Sequence, residues 1–168
     1  MKKSFIASAV ISVALAITGV FIFWVQATPP TNQEVILKFN EHRRTFDVIR
    51  AMLQEDKNVR QIATWGIRTQ DSMIDAMPPV PDLSLARYKK YLTLLSSAQA
   101  LAASRSSGDN PDSCIYVWAS GWAADTNHVA LCWRGSSNDR SMTSGVPETN
   151  GRFIFYPVTE RWFIQKEV

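Results

Sequence analysis

Two runs, Cys114-Ile115-Tyr116-Val117-Trp118-Ala119 and His128-Val129-Ala130-Leu131-Cys132-Trp133, decide the fold of this chain. Both are rich in β-branched and aromatic residues, and the segment between them carries Gly121, Asp125 and Asn127, as an antiparallel hairpin requires. The register that opposes Cys114 to Cys132 also opposes Ile115 to Leu131 and Val117 to Val129 on one face. On the other face it sets Tyr116 against Ala130 and Trp118 against His128, with Asp112 meeting Arg134 at the base. Apolar pairs, an opposite-charge pair and two thiols in one register make that alignment specific. Whether the thiols join depends on the compartment, which the amino-terminal end decides.

Lys2 and Lys3 precede a run from Phe5 to Val25 without a charged residue. As a helix it would rise about 31 Å, enough to span a bilayer. Lysines ahead of the run and none after it until Lys38 place the body on the outer side of the membrane. Phe21, Phe23 and Trp24 would then sit at the outer interface, where aromatic rings gather. The expected location is a bacterial inner membrane, crossed once, with the carboxy-terminal domain in the periplasm. The alternative is a cleaved secretory signal ending near Ala27, although the run exceeds the usual hydrophobic region of a signal. A lipidated amino-terminal cysteine is excluded because none is present there, and a type IV pilin is disfavoured because the run has no early glutamate. Either way the thiols meet an oxidising compartment, and a Cys114–Cys132 disulfide is expected rather than two buried free cysteines.

Outward from the hairpin, Thr28-Pro29-Pro30 is a stiff spacer, and Thr31-Asn32-Gln33-Glu34 has the Thr-x-x-Glu form of a capping box. Phe39, His42, Phe46, Ile49 and Leu53 then recur at helical spacing up to Lys57, with His42 as a hydrogen-bonded core histidine. The segment Val59 to Ile67 is ambiguous between strand and helical turn. Asp82 or Ser84 caps a second helix whose face is Leu85, Tyr88, Leu92 and Leu95, continuing through Ala103. A second hairpin pairs Arg152–Tyr156 with Arg161–Gln165 across Pro157-Val158-Thr159-Glu160, so that Phe153, Phe155, Trp162 and Ile164 share one face. The polar stretch from Gly135 to Gly151 reads as a long loop. The whole reads as α+β: an N-terminal transmembrane helix, then two amphipathic helices packed on a C-terminal antiparallel sheet of about four strands. Residues 1–27 form the anchor or signal segment, 28–34 the spacer and cap, and 35–168 the extracytoplasmic domain.

Composition narrows the function classes. All but four of the Phe, Trp and Tyr residues lie in the body, so a packed core is expected and intrinsic disorder is not. The net charge of +3 owes two units to Lys2 and Lys3. The remaining basic doublets, Arg43-Arg44 and Lys89-Lys90, read as solvated helix faces, and no nucleic-acid partner is implied. Cys114, His128 and Cys132 fail as zinc ligands, since four strand residues separate His128 from Cys132 by about 13 Å. Without Cys-x-x-Cys, a phosphate loop or a dinucleotide fingerprint, no metal or other cofactor is expected. Glu55-Asp56 reads as a solvated helix end rather than a glycosidase pair. The best hydrolase constellation is Ser120, His128 and Asp125, with Ser120 diagonal to His128. The leading expectation is instead a non-catalytic domain that binds another envelope protein, as an immunity or inhibitor protein or an accessory subunit of an envelope or secretion complex. Tyr116, Trp118, Trp122 and His128 are its candidate contact residues, because rings carry binding energy well.

Overall fold

A computed structural model describes residues 28–71, 76–77, 80, 83–105, 113–120, 127–135, 147–149 and 151–167. The expected anchor at 5–25 and its alternative cleavage site near Ala27 lie outside the described residues. Among the described residues no helix is long and apolar enough to cross a membrane.

The expected capping box forms. The Thr31 backbone N–H donates to Glu34 Oε2 at 2.7 Å, and Glu34 N–H donates back to Thr31 Oγ1 at 3.3 Å. These bonds satisfy donors that a bare helix start would leave open, worth about 1 kcal/mol. Helix α1 runs Asn32–Glu55 and bends at His42 (φ −111°, ψ 16°). Phe39 before the bend and Phe46 after it both contact Trp162, with ring centroids 5.5 and 6.4 Å apart. His42 is largely buried and edge-on to Phe46, and its Nε2, 3.8 Å from Glu41 Oε1, has no hydrogen-bond partner, so the expected hydrogen bond is not made at that nitrogen.

Helix α2, Leu85–Ser97, is capped by Ser84, whose Oγ accepts from Arg87 N–H. Its buried face is Tyr88, Tyr91 and Leu95, whereas Leu85 is exposed. The helix also stops earlier than its alanines suggest. Gln99 turns left-handed (φ 50°), and Ala100 N–H reaches back to Leu95 O at 2.8 Å. That cap releases the chain into an extended segment.

Among the described residues the sheet is twice the expected size: eight antiparallel strands in the order β2-β1-β3-β4-β5-β8-β7-β6. They are β1 Val59–Ala63, β2 Gly66–Thr69, β3 Ala102–Arg105, β4 Ser113–Ser120, β5 Asn127–Trp133, β6 Glu148–Thr149, β7 Phe153–Pro157 and β8 Trp162–Glu167. The ambiguous segment after α1 is thus a hairpin, β1–β2. The Ala102-Ala103 pair expected in a helix lies in β3, clamped between β1 and β4. Alanine favours helices only weakly, and ladders on both sides override that preference. Within the expected long loop, Glu148–Thr149 pairs with β7 as an edge strand, while 136–146 lie outside the described residues.

The first hairpin holds its expected register from Ser113↔Trp133 to Tyr116↔Ala130, including Cys114↔Cys132, and those cysteines form a disulfide. Past Tyr116 a bulge intervenes. Trp118 pairs with Val129, not His128, and Ala119 pairs with His128. One extra residue in β4 thus carries Trp118 to the same side as Val117. Asp112, expected opposite Arg134, lies outside the described residues.

The second hairpin forms in a different register. Phe155 pairs with Gln165 and Pro157 with Phe163, because the connection between the paired positions takes five residues, Val158 to Trp162, within which Val158 and Thr159 N–H both donate to Trp162 O. The slip is odd, so it reverses faces. Phe153, Phe155 and Phe163 share one side, and Trp162 and Ile164 point to the other.

Both helices cover one face. Phe39, Phe46, Ile49, Leu53, Tyr91 and Leu95 form a continuous core with Ile62, Ile115, Leu131 and Ile164. The C-terminal end of α1 is clasped to α2. Arg87 donates to Asp56 at 3.0 Å and to Glu55 at 2.6 Å, and the Tyr91 hydroxyl donates to Asp56 Oδ2 at 2.6 Å. Asp56 is therefore an interhelix anchor, 12% exposed, while Glu55 reaches Arg87 from a solvated position, 68% exposed. Burial, reinforced by the Asp56 carboxylate, pushes the Tyr91 phenol far above its ordinary range. The doublets Arg43-Arg44 and Lys89-Lys90 are exposed, as solvated helix faces should be.

Candidate binding face

The face of the sheet away from the helices carries a second, smaller cluster. Alternation along each strand brings Cys114 and Tyr116 of β4, His128, Ala130 and Cys132 of β5, Phe163, Gln165 and Glu167 of β8, and Phe153 and Phe155 of β7 to this side. Ala130, Cys132 and Phe163 are buried at its centre, with Cys114, Tyr116 and Phe155 packed around them. The disulfide lies within it, at a pair whose Cα atoms are 4.0 Å apart.

His128 is the hub. Its ring lies 5.2 Å from Tyr116, edge-on, and 5.5 Å from Phe153. Nδ1 is 3.4 Å from Glu167 Oε2, and Nε2 is 3.2 Å from the Gln165 side-chain nitrogen. The Gln165 amide can donate to a bare Nε2, whereas the Nδ1–Glu167 contact is a close approach without a hydrogen bond, since Oε2 has no hydrogen-bond partner. The other Glu167 oxygen takes Arg152 Nε at 2.6 Å. Gln165 Oε1 in turn lies 3.4 Å from Cys132 Sγ. The chain Arg152–Glu167–His128–Gln165 thus runs from the exposed rim inward to the disulfide, and Tyr116 extends it through a 3.1 Å hydrogen bond to Ser104 on β3.

Of the residues singled out from sequence, Tyr116 and His128 meet here. Trp118 does not: the bulge sends it to the helix side, where it packs against the main core. Trp122 and Asp125 lie outside the described residues. Ser120 pairs with Asn127, while His128 pairs with Ala119, so Ser120 and His128 point to opposite faces and the expected diagonal contact is not made. Nε2 of His128 is engaged by Gln165, and both cysteines are in the disulfide, which leaves neither as a thiolate. Among the described residues no group of three His, Cys, Asp or Glu side chains could hold an ion.

Gln165, Glu167, Arg152 and Phe153 are the partners that sequence reasoning did not connect. The signal was the i, i+2 spacing of Gln165 and Glu167, which puts two polar groups on an otherwise apolar strand face. It becomes visible only when β8 is extended to Glu167 and set in register against β5. The chain matches no protein-family model, no curated protein and no solved structure.

Proposed function

We propose that this chain is a non-catalytic, membrane-anchored extracytoplasmic domain that holds another envelope protein on the outer face of its sheet. The observation that carries the proposal is the contrast between the faces. Both helices fill one, and the other presents the half-exposed rings Tyr116, Phe153 and Phe155 with no described helix laid over them. Rings fixed in place by a disulfide and a polar network lose little further entropy on contact, which favours protein recognition. The disulfide supports an oxidising compartment, and the apolar run at 5–25 with its two preceding lysines supports single-pass attachment. An immunity or inhibitor protein and an accessory subunit of an envelope or secretion complex both fit this description. Against a hydrolase stand the engaged His128 and the misplaced Ser120.

The test is a photoreactive phenylalanine at position 153 of the full-length chain, irradiated in cells. A discrete adduct should form there, be absent with the same group at Val48 on α1, and disappear when Phe155→Glu is added. Equal labelling at both positions, or none at 153, removes the proposal.

A further inference from the structure

Among the described residues, four of the six large apolar side chains that stand exposed gather at one end, Val48 and Leu85 lying elsewhere. Pairing of Ala63 with both Gly66 and Ala102 sets the β1–β2 turn beside the α2–β3 turn, and so Trp65 beside Leu101. The bridge between Ile67 and Ala76 places Met77 opposite Gly66, next to Trp65. Lys38 Nζ donates to Gln99 O at 3.2 Å, which brings the first turns of α1, and Leu37, to the same end of the molecule. These four side chains are 53% (Trp65), 38% (Leu101), 66% (Met77) and 62% (Leu37) exposed. Soluble surfaces do not usually gather such residues at one end without an occupant.

The same end receives the amino-terminal segment. Lys166 Nζ donates to Pro30 O at 2.8 Å, which ties the spacer to the end of β8, and α1 begins directly after it. The residues from Gln26 to Pro30 reach at most about 18 Å even when fully extended. A domain of this size is roughly 37 Å across. Val25 can therefore lie no farther than that reach from Pro30, which falls short of the opposite end, where Arg105 meets Lys57 O.

We propose that this end rests on the bilayer, with Trp65, Met77, Leu101 and Leu37 seated in the membrane interface. Trp at that depth places its apolar body among the acyl chains and its N–H among the headgroups, while Leu and Met add buried area. Lys38, Lys166 and Arg152 lie at this end together with Glu34, Glu41 and Glu167, so the contact is driven by apolar area rather than by net charge. Docking in this way holds the sheet edge-on to the membrane and leaves its outer face open sideways. The inference rests on the membrane attachment proposed above.

The experiment uses the full chain in vesicles of phosphatidylethanolamine and phosphatidylglycerol. A single cysteine is added in turn at Trp65, Leu101, Val48 or Leu85, with the native disulfide intact, and labelled with an environment-sensitive fluorophore. Spin-labelled lipid should quench the label at 65 and 101 by about twofold and leave 48 and 85 unchanged. Chain that floats with the vesicles but quenches equally at all four positions overturns the docking and leaves the attachment standing. Chain that does not float overturns both. All four positions are exposed, so loss of fold is not expected, and retention of the disulfide in each variant confirms it.

Discussion

On the helix side of the sheet, Ile115, Leu131 and Ile164 belong to one large apolar core with Phe46, Ile49 and Leu53. On the opposite side, three buried residues are surrounded by rings, a disulfide and a four-membered polar chain. The first face is held by area removed from water, which is non-directional and tolerant of small shifts. The second lacks that area and is held by directional contacts, each of which fails if its partner is lost. A face stabilised in this way can stay half-exposed without collapsing, which is what a binding surface needs.

That contrast can be broken at four points. Phe46→Ala on the helix side should cost about 3–5 kcal/mol by leaving a cavity between α1 and Trp162. Urea denaturation would read it, and a cost under 1 kcal/mol would mean the core is not where the stability lies. Removing the disulfide with Cys114→Ala/Cys132→Ala should cost about 3 kcal/mol, because the link closes a loop of sequence separation 18 in the unfolded chain.

Changes in the polar chain should be smaller and context-bound. Glu167→Ala leaves both Arg152 and His128 without their carboxylate and should cost about 1–3 kcal/mol. Replacing His128 and Gln165 together by Leu should cost less than the sum of the single changes, since neither is then left unpaired. Strict additivity in that double-mutant cycle would show that the two do not act as a unit.

Tyr91→Phe tests the clasp between the helices and should cost about 1 kcal/mol near neutral pH. It also has a pH signature. The folded protein raises the Tyr91 phenol above its unfolded value, so the hydroxyl's contribution is complete below about pH 10 and is lost as pH climbs beyond it. The wild type should therefore lose stability above that pH more steeply than the Phe variant. Parallel alkaline limbs in the two proteins would refute the assignment.

How much of this was legible depended on the range over which each signal acts. The capping box at Thr31 and Glu34, the apolar stripe of α1 and the Cys114–Cys132 pairing are local or near-local patterns, and all three formed. The bulge after Tyr116 has no local marker, yet it alone sends Trp118 to the helix side. The second hairpin shows the same sensitivity. The connection begins one residue later than expected and ends two later, and the resulting slip of three moved Trp162 and Ile164 to the core and Phe163 away from it.

The candidate face was half visible. Tyr116 and His128 were identified, but Gln165 and Glu167 reach His128 only because β8 inserts between β5 and β7. The gathering of Trp65, Met77, Leu101 and Leu37 was invisible for a similar reason: it comes from three separate turns brought to one end by strands β1, β2 and β3.

By itself the sequence determined the class of fold, the start of α1, the disulfide and the central register as far as Tyr116, because capping and alternation act between residues close along the chain. Tertiary structure decided the number of strands, the side on which Trp118 and the Phe153–Phe163 rings stand, and the end at which exposed apolar residues collect. Those outcomes depend on hydrogen-bond ladders between distant short strands, whose partners are chosen by packing and leave little trace in any one segment.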